Sequence, residues 1–161
     1  MDVKPKAFLV VGHSNWGKSL TLIALTNNDW RVRRFIIGKH EFYIKRMSND
    51  DSPRSLCTFV DRVDPDEKPY ILATLCPSFI GISKSADNPA KRTEEILKTL
   101  SKKYDIYAFV LTERWKSCEC ISTAEINKLA TCCKKIVEVA SKNLEAKGRA
   151  KRLKEFILEN L

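Results

Sequence analysis

The sequence predicts an α/β fold, a three-layer sandwich with a mostly parallel sheet and an early β-hairpin. Short apolar runs alternate with segments of helical spacing along the 161 residues, and this order is typical of a parallel sheet covered by helices. Near the N-terminus, two segments rich in β-branched and aromatic residues flank a Gly-Lys pair, which is typical of a hairpin. Hydrophobic residues make up 43% of the chain, which is enough for one domain with its own core.

Five segments are predicted to be β-strands. They cover residues 7–11, 32–37, 41–46, 70–76 and 105–112. The first and the last two are continuous apolar runs, as expected of strands that are buried on both faces of a sheet. The second and third form the hairpin around Gly38 and Lys39. Residues 56–60 fit either a short strand or a helical turn, and the sequence leaves this open.

Two helices are predicted before the last of these strands. The first covers residues 18–26. The apolar residues expected on one face of it are Leu20, Ile23 and Ala24. The second helix begins at Asn88, a capping residue followed by proline, and reaches about Lys103. The residues that it is expected to bury are Ile96, Leu97 and Leu100.

The C-terminal part is predicted to be helical. Ser122 and Glu125 have the spacing of a capping box, which marks the start of a helix. The apolar positions that follow at helical spacing are Ile126, Leu129, Ala130, Cys133, Ile136, Val137, Ala140 and Leu144. Gly148 either ends or interrupts this helix, and a last amphipathic segment follows it. We therefore predict one domain over residues 1–161, on which a helical segment of residues 122–161 packs.

One motif carries chemistry, and it lies between the first strand and the first helix. Residues 12–19 fit the pattern G-x-x-x-x-G-K-[ST] at every fixed position, in the strand–loop–helix context that the pattern requires. In such a loop, main-chain N–H groups and the helix N-terminus surround phosphate oxygens. Lys18 is expected to contact the β- and γ-phosphates, and the Ser19 hydroxyl to ligate Mg²⁺. The predicted nucleotide-binding residues are Gly12, His13, Ser14, Asn15, Trp16, Gly17, Lys18, Ser19 and Leu20.

The same segment, read through Leu20, resembles the P-loop of the Era/EngB branch of translation-factor-like GTPases, which commonly reads G-x-S-N-V-G-K-S-S. The resemblance implies a P-loop NTPase fold and binding of a nucleoside triphosphate with Mg²⁺. These GTPases also carry D-x-x-G and N-K-x-D, and both motifs are absent from the matching residues 75–79 and 111–115. Only the roles of the P-loop are carried over. The base remains open between ATP and GTP, and the missing N-K-x-D slightly favours ATP.

A carboxylate at a strand end usually gives Mg²⁺ a second anchor at such a loop. Glu113 closes the strand at residues 105–112 and is predicted to fill this role. Its neighbour Arg114 is predicted to stabilise the charge of the transferring phosphoryl group. The alternatives are Asp50, Asp51 and Asp61 for the carboxylate, and Arg54 and Arg92 for the cation.

The predicted function is binding of ATP or GTP and its Mg²⁺-dependent hydrolysis, coupled to a protein partner. A small-molecule or nucleotide kinase is one alternative, in which residues 84–92 or 114–120 form an arginine-bearing lid. A nucleotide-dependent binding module without turnover is the other alternative. The absence of D-x-x-G and of an acid after the strand at residues 70–76 favours the latter.

Composition restricts the partners and the compartment. The net charge of +9 favours acidic partners. The basic residues at 147–154 give weak support for nucleic acid, and a solvated helix face is the preferred interpretation. No apolar run approaches the ~20 residues that cross a bilayer, and residues 7–11 are too few for a signal peptide. We therefore expect a cytoplasmic protein without a membrane partner, whose six cysteines are reduced thiols and not a zinc site.

Overall fold

The computed structural model describes residues 4–77 and 89–161, except for the side chains of residue 53 and residues 89–92. Within these ranges, six strands form one sheet. They are β1 (Lys6–Val11), β2 (Arg34–Ile37), β3 (His40–Lys45), β4 (Tyr70–Leu75), β5 (Asp105–Leu111) and β6 (Lys135–Val139). Their order in the sheet is β2-β3-β4-β1-β5-β6, and every neighbouring pair is parallel except β2 with β3. The predicted α/β fold with a mostly parallel sheet is therefore confirmed.

Helices cover both faces of this sheet. The described residues form α1 (Lys18–Leu25), α2 (Pro53–Arg62), α3 (Pro89–Lys103), α4 (Thr123–Ala130) and α5 (Ala146–Glu159). Successive residues of a strand point to opposite faces, so Leu9 of β1 lies in a core with α2, α3 and α4, whereas Phe8 lies in a core with α1 and α5. No helix within the described ranges combines the length and the apolar character needed to cross a membrane.

Several predicted elements form where they are expected. The hairpin pairs Arg34 with Tyr43 and Ile37 with His40. The helix predicted to end near Lys103 is α3, and its buried residues include Ile96, Leu97 and Leu100. The predicted cap of α3, Asn88, lies outside the described residues. The undecided residues 56–60 belong to α2, which begins after Ser52, whose side chain accepts a hydrogen bond from the N–H of Ser55.

The prediction of one long helix after Ser122 is wrong. The capping box is present, but α4 ends at Ala130, and the chain returns through β6 before α5 begins. Residues 135–139 include three β-branched residues, which favour a strand, and β6 pairs with β5 along the edge of the sheet. The apolar residues of α4 and β6 have a helical spacing by chance, which continues across the turn between these two elements.

The face that α1 buries also differs from the prediction. Leu20 is 59% exposed, whereas Thr21, Leu22 and Leu25 are buried. Lys18 is buried at the start of the same helix, so the buried positions follow the spacing i, i+3, i+4 and i+7 from this lysine. The loop before α1 therefore sets the orientation of the helix, and hydrophobicity alone does not reveal it.

Candidate functional site

The loop between β1 and α1 lies at the edge of the sheet where the parallel strands end. The N–H of Gly12 donates to the carbonyl of Leu75 at 3.1 Å, which ties the loop to the end of β4. The N–H of Trp16 donates to the carbonyl of His13 at 3.1 Å and forms a tight turn. Asn15 and Gly17 have φ values of 67° and 91°, in the left-handed region that favours asparagine and glycine. The loop therefore has a defined and compact backbone.

Most main-chain donors of this loop make no hydrogen bond to the part of the chain that the structure describes. Among residues 12–20, hydrogen bonds to described residues use the N–H groups of Gly12 and Trp16. The N–H groups that make no such bond belong to His13, Ser14, Asn15, Gly17, Lys18, Ser19 and Leu20. The first N–H groups of a helix have no partner within it, and the helix dipole adds partial positive charge at the same end. An anion bound at the start of α1 would satisfy several of these donors.

Lys18 and Asp50 form an ion pair beside the loop. The Lys18 side chain is 5% exposed, and its Nζ donates to the carbonyl of His13 at 3.0 Å. The same nitrogen lies 3.5 Å from Oδ2 of Asp50. The Asp50 side chain is 11% exposed, and its Oδ1 is buried without a hydrogen-bond partner among the described residues. A buried oxygen with unused lone pairs is costly, so Asp50 has capacity for a further cation or proton donor.

A buried asparagine holds Asp50 in position, and sequence analysis missed it. Asn49 is fully buried, and its Oδ1 accepts a hydrogen bond from the N–H of Cys76 at 2.7 Å. Its Nδ2 donates to the carbonyl of Cys76 at 3.2 Å and to Oγ1 of Thr93 at 2.7 Å. These contacts fix the residues after β3 against the end of β4 and the first turns of α3. Because Asn49 lies in a polar loop, no pattern in the sequence marks it.

The structure separates the two neighbours that were predicted to act together. Glu113 accepts a hydrogen bond from the N–H of Lys142 at 3.4 Å through Oε1, and its own backbone bonds to Ser141. Arg114 is exposed, and its Nη1 lies 3.2 Å from Oε2 of Glu119. Only Arg114 of the two lines an open cleft of about 490 Å³ beside the loop. The other residues that line this cleft are His13, Ser14, Trp16, Asp50, Cys76 and Glu119.

Asp51, Asp61 and Arg54, the remaining alternatives with described side chains, do not line this cleft. Asp51 accepts a hydrogen bond from the N–H of Ser48 and helps to form the turn before α2. Asp61 and Arg54 lie on α2 and are exposed. The side chain of Arg92 and most of the proposed lid at residues 84–92 lie outside the described residues.

Two aromatic residues of the loop hold it against the domain. The Trp16 side chain is buried in the core shared with α4. The His13 ring lies edge-on to Trp16, with 5.0 Å between centroids, and its Nε2 lies 2.6 Å from Oε2 of Glu125. Glu125 also completes the capping box with Ser122. The Trp16 side chain is therefore a core residue, and it anchors the loop to the domain.

Arg149 of α5 contacts the loop from the opposite side, and sequence analysis also missed it. Its Nε donates to Oγ1 of Thr21 at 2.8 Å, its Nη1 to the carbonyl of Leu144 at 2.6 Å, and its Nη2 to the carbonyl of Gly17 at 3.5 Å. Burial lowers the pKa of this guanidinium. A Cβ on Gly17 would lie 2.6 Å from its Nη2. The only signal in the sequence is that Arg149 shares a helical face with Leu153.

No carboxylate neutralises Arg149 among the described residues, since none lies within 4 Å of its guanidinium. A buried and unpaired cation is unfavourable. The first turn of α1 is therefore supported by a positive charge that lacks a fixed counter-charge in the described part of the chain.

Magnesium fits the oxygen atoms of this site. The Ser19 hydroxyl makes no hydrogen bond to a described residue, and Asp50 offers the buried Oδ1 that has no partner. Mg²⁺ prefers such oxygen donors and commonly keeps water and phosphate as its other ligands. Among the described residues, those of this site included, no group of three His, Cys, Asp or Glu side chains could hold a metal. Burial raises the pKa of Cys133 to about 12, so this thiol stays protonated.

Comparisons with protein-family models, with curated proteins and with solved structures returned no significant match.

Proposed function

We propose that residues 12–20 bind ATP or GTP with Mg²⁺ and that the chain hydrolyses the γ-phosphate, coupling hydrolysis to a protein partner. The observation that carries this proposal is the set of unused main-chain donors around a buried lysine. A polyphosphate tail supplies the acceptors that these N–H groups lack, and its charge matches the N-terminal end of α1 and the unpaired guanidinium of Arg149.

Each side chain has a separate role in this proposal. The Lys18 ammonium carries three protons, of which the His13 carbonyl and Asp50 engage two. The third is directed to the γ-phosphate and stabilises its developing charge. Ser19 and Asp50 would hold Mg²⁺, which would neutralise phosphate charge there. Arg114 lines the cleft beside Asp50 and supplies a second cation at its entrance.

Phosphoryl transfer to a small acceptor is the second candidate. The open cleft beside the loop favours it, because an acceptor hydroxyl in that space would lie next to Asp50. In this case Asp50 would serve as the base for the hydroxyl and not as a metal ligand. Product analysis separates the two activities: a kinase releases little inorganic phosphate until its acceptor is added, whereas a hydrolase needs water alone.

A thermal-shift panel tests nucleotide binding directly. With Mg²⁺ and ATP or GTP at 100 times Kd, we expect about 2.7 kcal/mol of added stability against unfolding. The Ser19→Ala variant should lose the part of this stabilisation that depends on Mg²⁺ and retain the part seen in EDTA. Thr58→Ala is the matched control, because it removes an exposed hydroxyl from α2 and changes no residue of the loop.

No shift with any nucleoside triphosphate would overturn the proposal. An equal shift with and without Mg²⁺ in the wild type would support binding of the phosphates at the loop and would show that Mg²⁺ takes no part in it.

Replacing Asp50 distinguishes its two candidate roles. Asp50→Asn is expected to lower turnover by about 10²-fold, because a charged group at the reacting phosphate is lost. If Asp50 anchors Mg²⁺, the variant should need a higher Mg²⁺ concentration to reach its half-maximal rate. If it acts as a base, the Mg²⁺ requirement should be unchanged and transfer to the acceptor hydroxyl should be the step that is slowed. Asp61→Asn, an exposed change on α2, should leave both measurements as in the wild type.

A further inference from the structure

A second cleft, separate from the loop, lies at the edge of the sheet where the chain enters β2 and leaves β3. Its volume is about 390 Å³. The residues that give it its chemistry are Trp30, Arg31, Arg33, Lys45, Arg46 and Met47. We call it the cationic cleft, because four of its lining residues are cations and none is a carboxylate. It shares no lining residue with the cleft at the loop.

Three of the four cations lack a neutralising carboxylate among the described residues. Arg33 and Arg46 form no ion pair there, and Lys45 donates only to Oγ of Ser55 at 2.5 Å. Burial, and then the charge of Arg33, lower the pKa of Lys45. Arg31 pairs with Asp29 at the exposed rim. Crowded cations with walls of low polarity attract an anion.

An exposed aromatic ring stands beside these charges. Trp30 is 61% exposed, and the guanidinium carbon of Arg46 lies 5.6 Å from its ring centroid. Met47 next to it is 44% exposed. A tryptophan left in solvent beside arginine is a surface on which a planar base stacks, and the stacked base gains contact with both groups.

We propose that the cationic cleft binds a nucleoside phosphate, with the phosphate at Arg33, Lys45 and Arg46 and the base stacked on Trp30. The volume of the cleft suits one nucleotide unit. This unit is either a free mononucleotide or one residue of a single-stranded nucleic acid. The site is independent of the loop at residues 12–20, and no metal is required.

Titration calorimetry with three probes tests this inference in EDTA. The probes are adenosine 5′-monophosphate, a ten-residue oligothymidylate and inorganic phosphate. Lys18→Met, in which the loop site is impaired, should still bind a nucleotide probe at the cationic cleft, because the loop takes no part in that site. Trp30→Ala and the double variant Arg33→Gln/Arg46→Gln should each bind it about tenfold more weakly. The matched control is Arg152→Gln/Lys154→Gln, which removes the same charge from exposed positions of α5 and should bind as the wild type.

Tighter binding of adenosine 5′-monophosphate per site would identify a free mononucleotide as the ligand. Tighter binding of the oligothymidylate would identify a single-stranded nucleic acid. Four results would overturn the inference. The first is no binding of either nucleotide, and the second is unchanged affinity in Arg33→Gln/Arg46→Gln. The third is loss of binding in Lys18→Met, which would place the probe in the loop. The fourth is an affinity for inorganic phosphate as high as that for the nucleotide probes, which would show that the base contributes nothing to binding. These results are independent of whether the chain hydrolyses a triphosphate.

Discussion

Lys18→Met is expected to lower kcat/KM for nucleoside triphosphate hydrolysis by about 10²-fold or more, because it removes the buried ammonium that we propose contacts the γ-phosphate. The methionine keeps much of the side-chain volume and removes the charge. Steady-state release of phosphate gives the rates, and a binding titration with the triphosphate shows how much of the loss is affinity. Lys39→Met, an exposed change in the hairpin turn, is the control and should be neutral.

The same substitution has a consequence for stability that does not depend on activity. Without Lys18, Asp50 would remain as a mostly buried carboxylate that has lost its ion pair. The double variant Lys18→Met/Asp50→Asn removes this charge and should therefore unfold at a higher temperature than Lys18→Met alone. A double variant that is no more stable than the single one would show that the pair is not coupled. If Lys18→Met hydrolyses the triphosphate as fast as the wild type, the role that we assign to Lys18 at the γ-phosphate is excluded.

Arg149→Met is expected to lower the free energy of unfolding by about 2–4 kcal/mol. The variant leaves the carbonyl of Leu144 and Oγ1 of Thr21 without their donor and loosens the start of α1. Loss of the buried charge offsets part of this cost, since desolvation disfavours the guanidinium. Urea unfolding measures the change, and Arg152→Met, an exposed change on the same helix, should shift it by about 0.5 kcal/mol at most.

The role of Arg149 in the loop needs a second measurement. If its charge also supports phosphate binding, Arg149→Lys should retain more affinity for the triphosphate than Arg149→Met at equal helix content. Equal affinities of the wild type, Arg149→Lys and Arg149→Met for the triphosphate would show that Arg149 has a structural role only.

Local patterns predicted the elements that depend on neighbouring residues. The apolar strands, the hairpin at Gly38 and the helix that buries Leu97 all follow from composition and period. Residues 12–19 were identified because the fixed glycines, lysine and serine fall within one short segment. The roles assigned to them remain predictions, as does the choice between ATP and GTP.

Long-range contacts account for what the sequence did not reveal. The position of Glu113 at a strand end is visible in the sequence, whereas the bonds of Asn49 to Cys76 and Thr93, which position Asp50, are not. The boundary between α4 and β6 was missed because pairing with β5 outweighs a helical spacing that continues by chance. The predicted buried face of α1 is wrong, because the orientation of this helix is set by the loop before it and not by the helix's own residues.

The contact between Gly17 and Arg149 joins positions 132 residues apart. During synthesis the loop therefore leaves the ribosome long before the helix that steadies it. Contacts of such sequence separation form slowly, because the intervening chain must first be ordered. The contact of the loop with Arg149 therefore forms only after α5 has been made, and a nascent chain that stops before α5 carries the motif without this support.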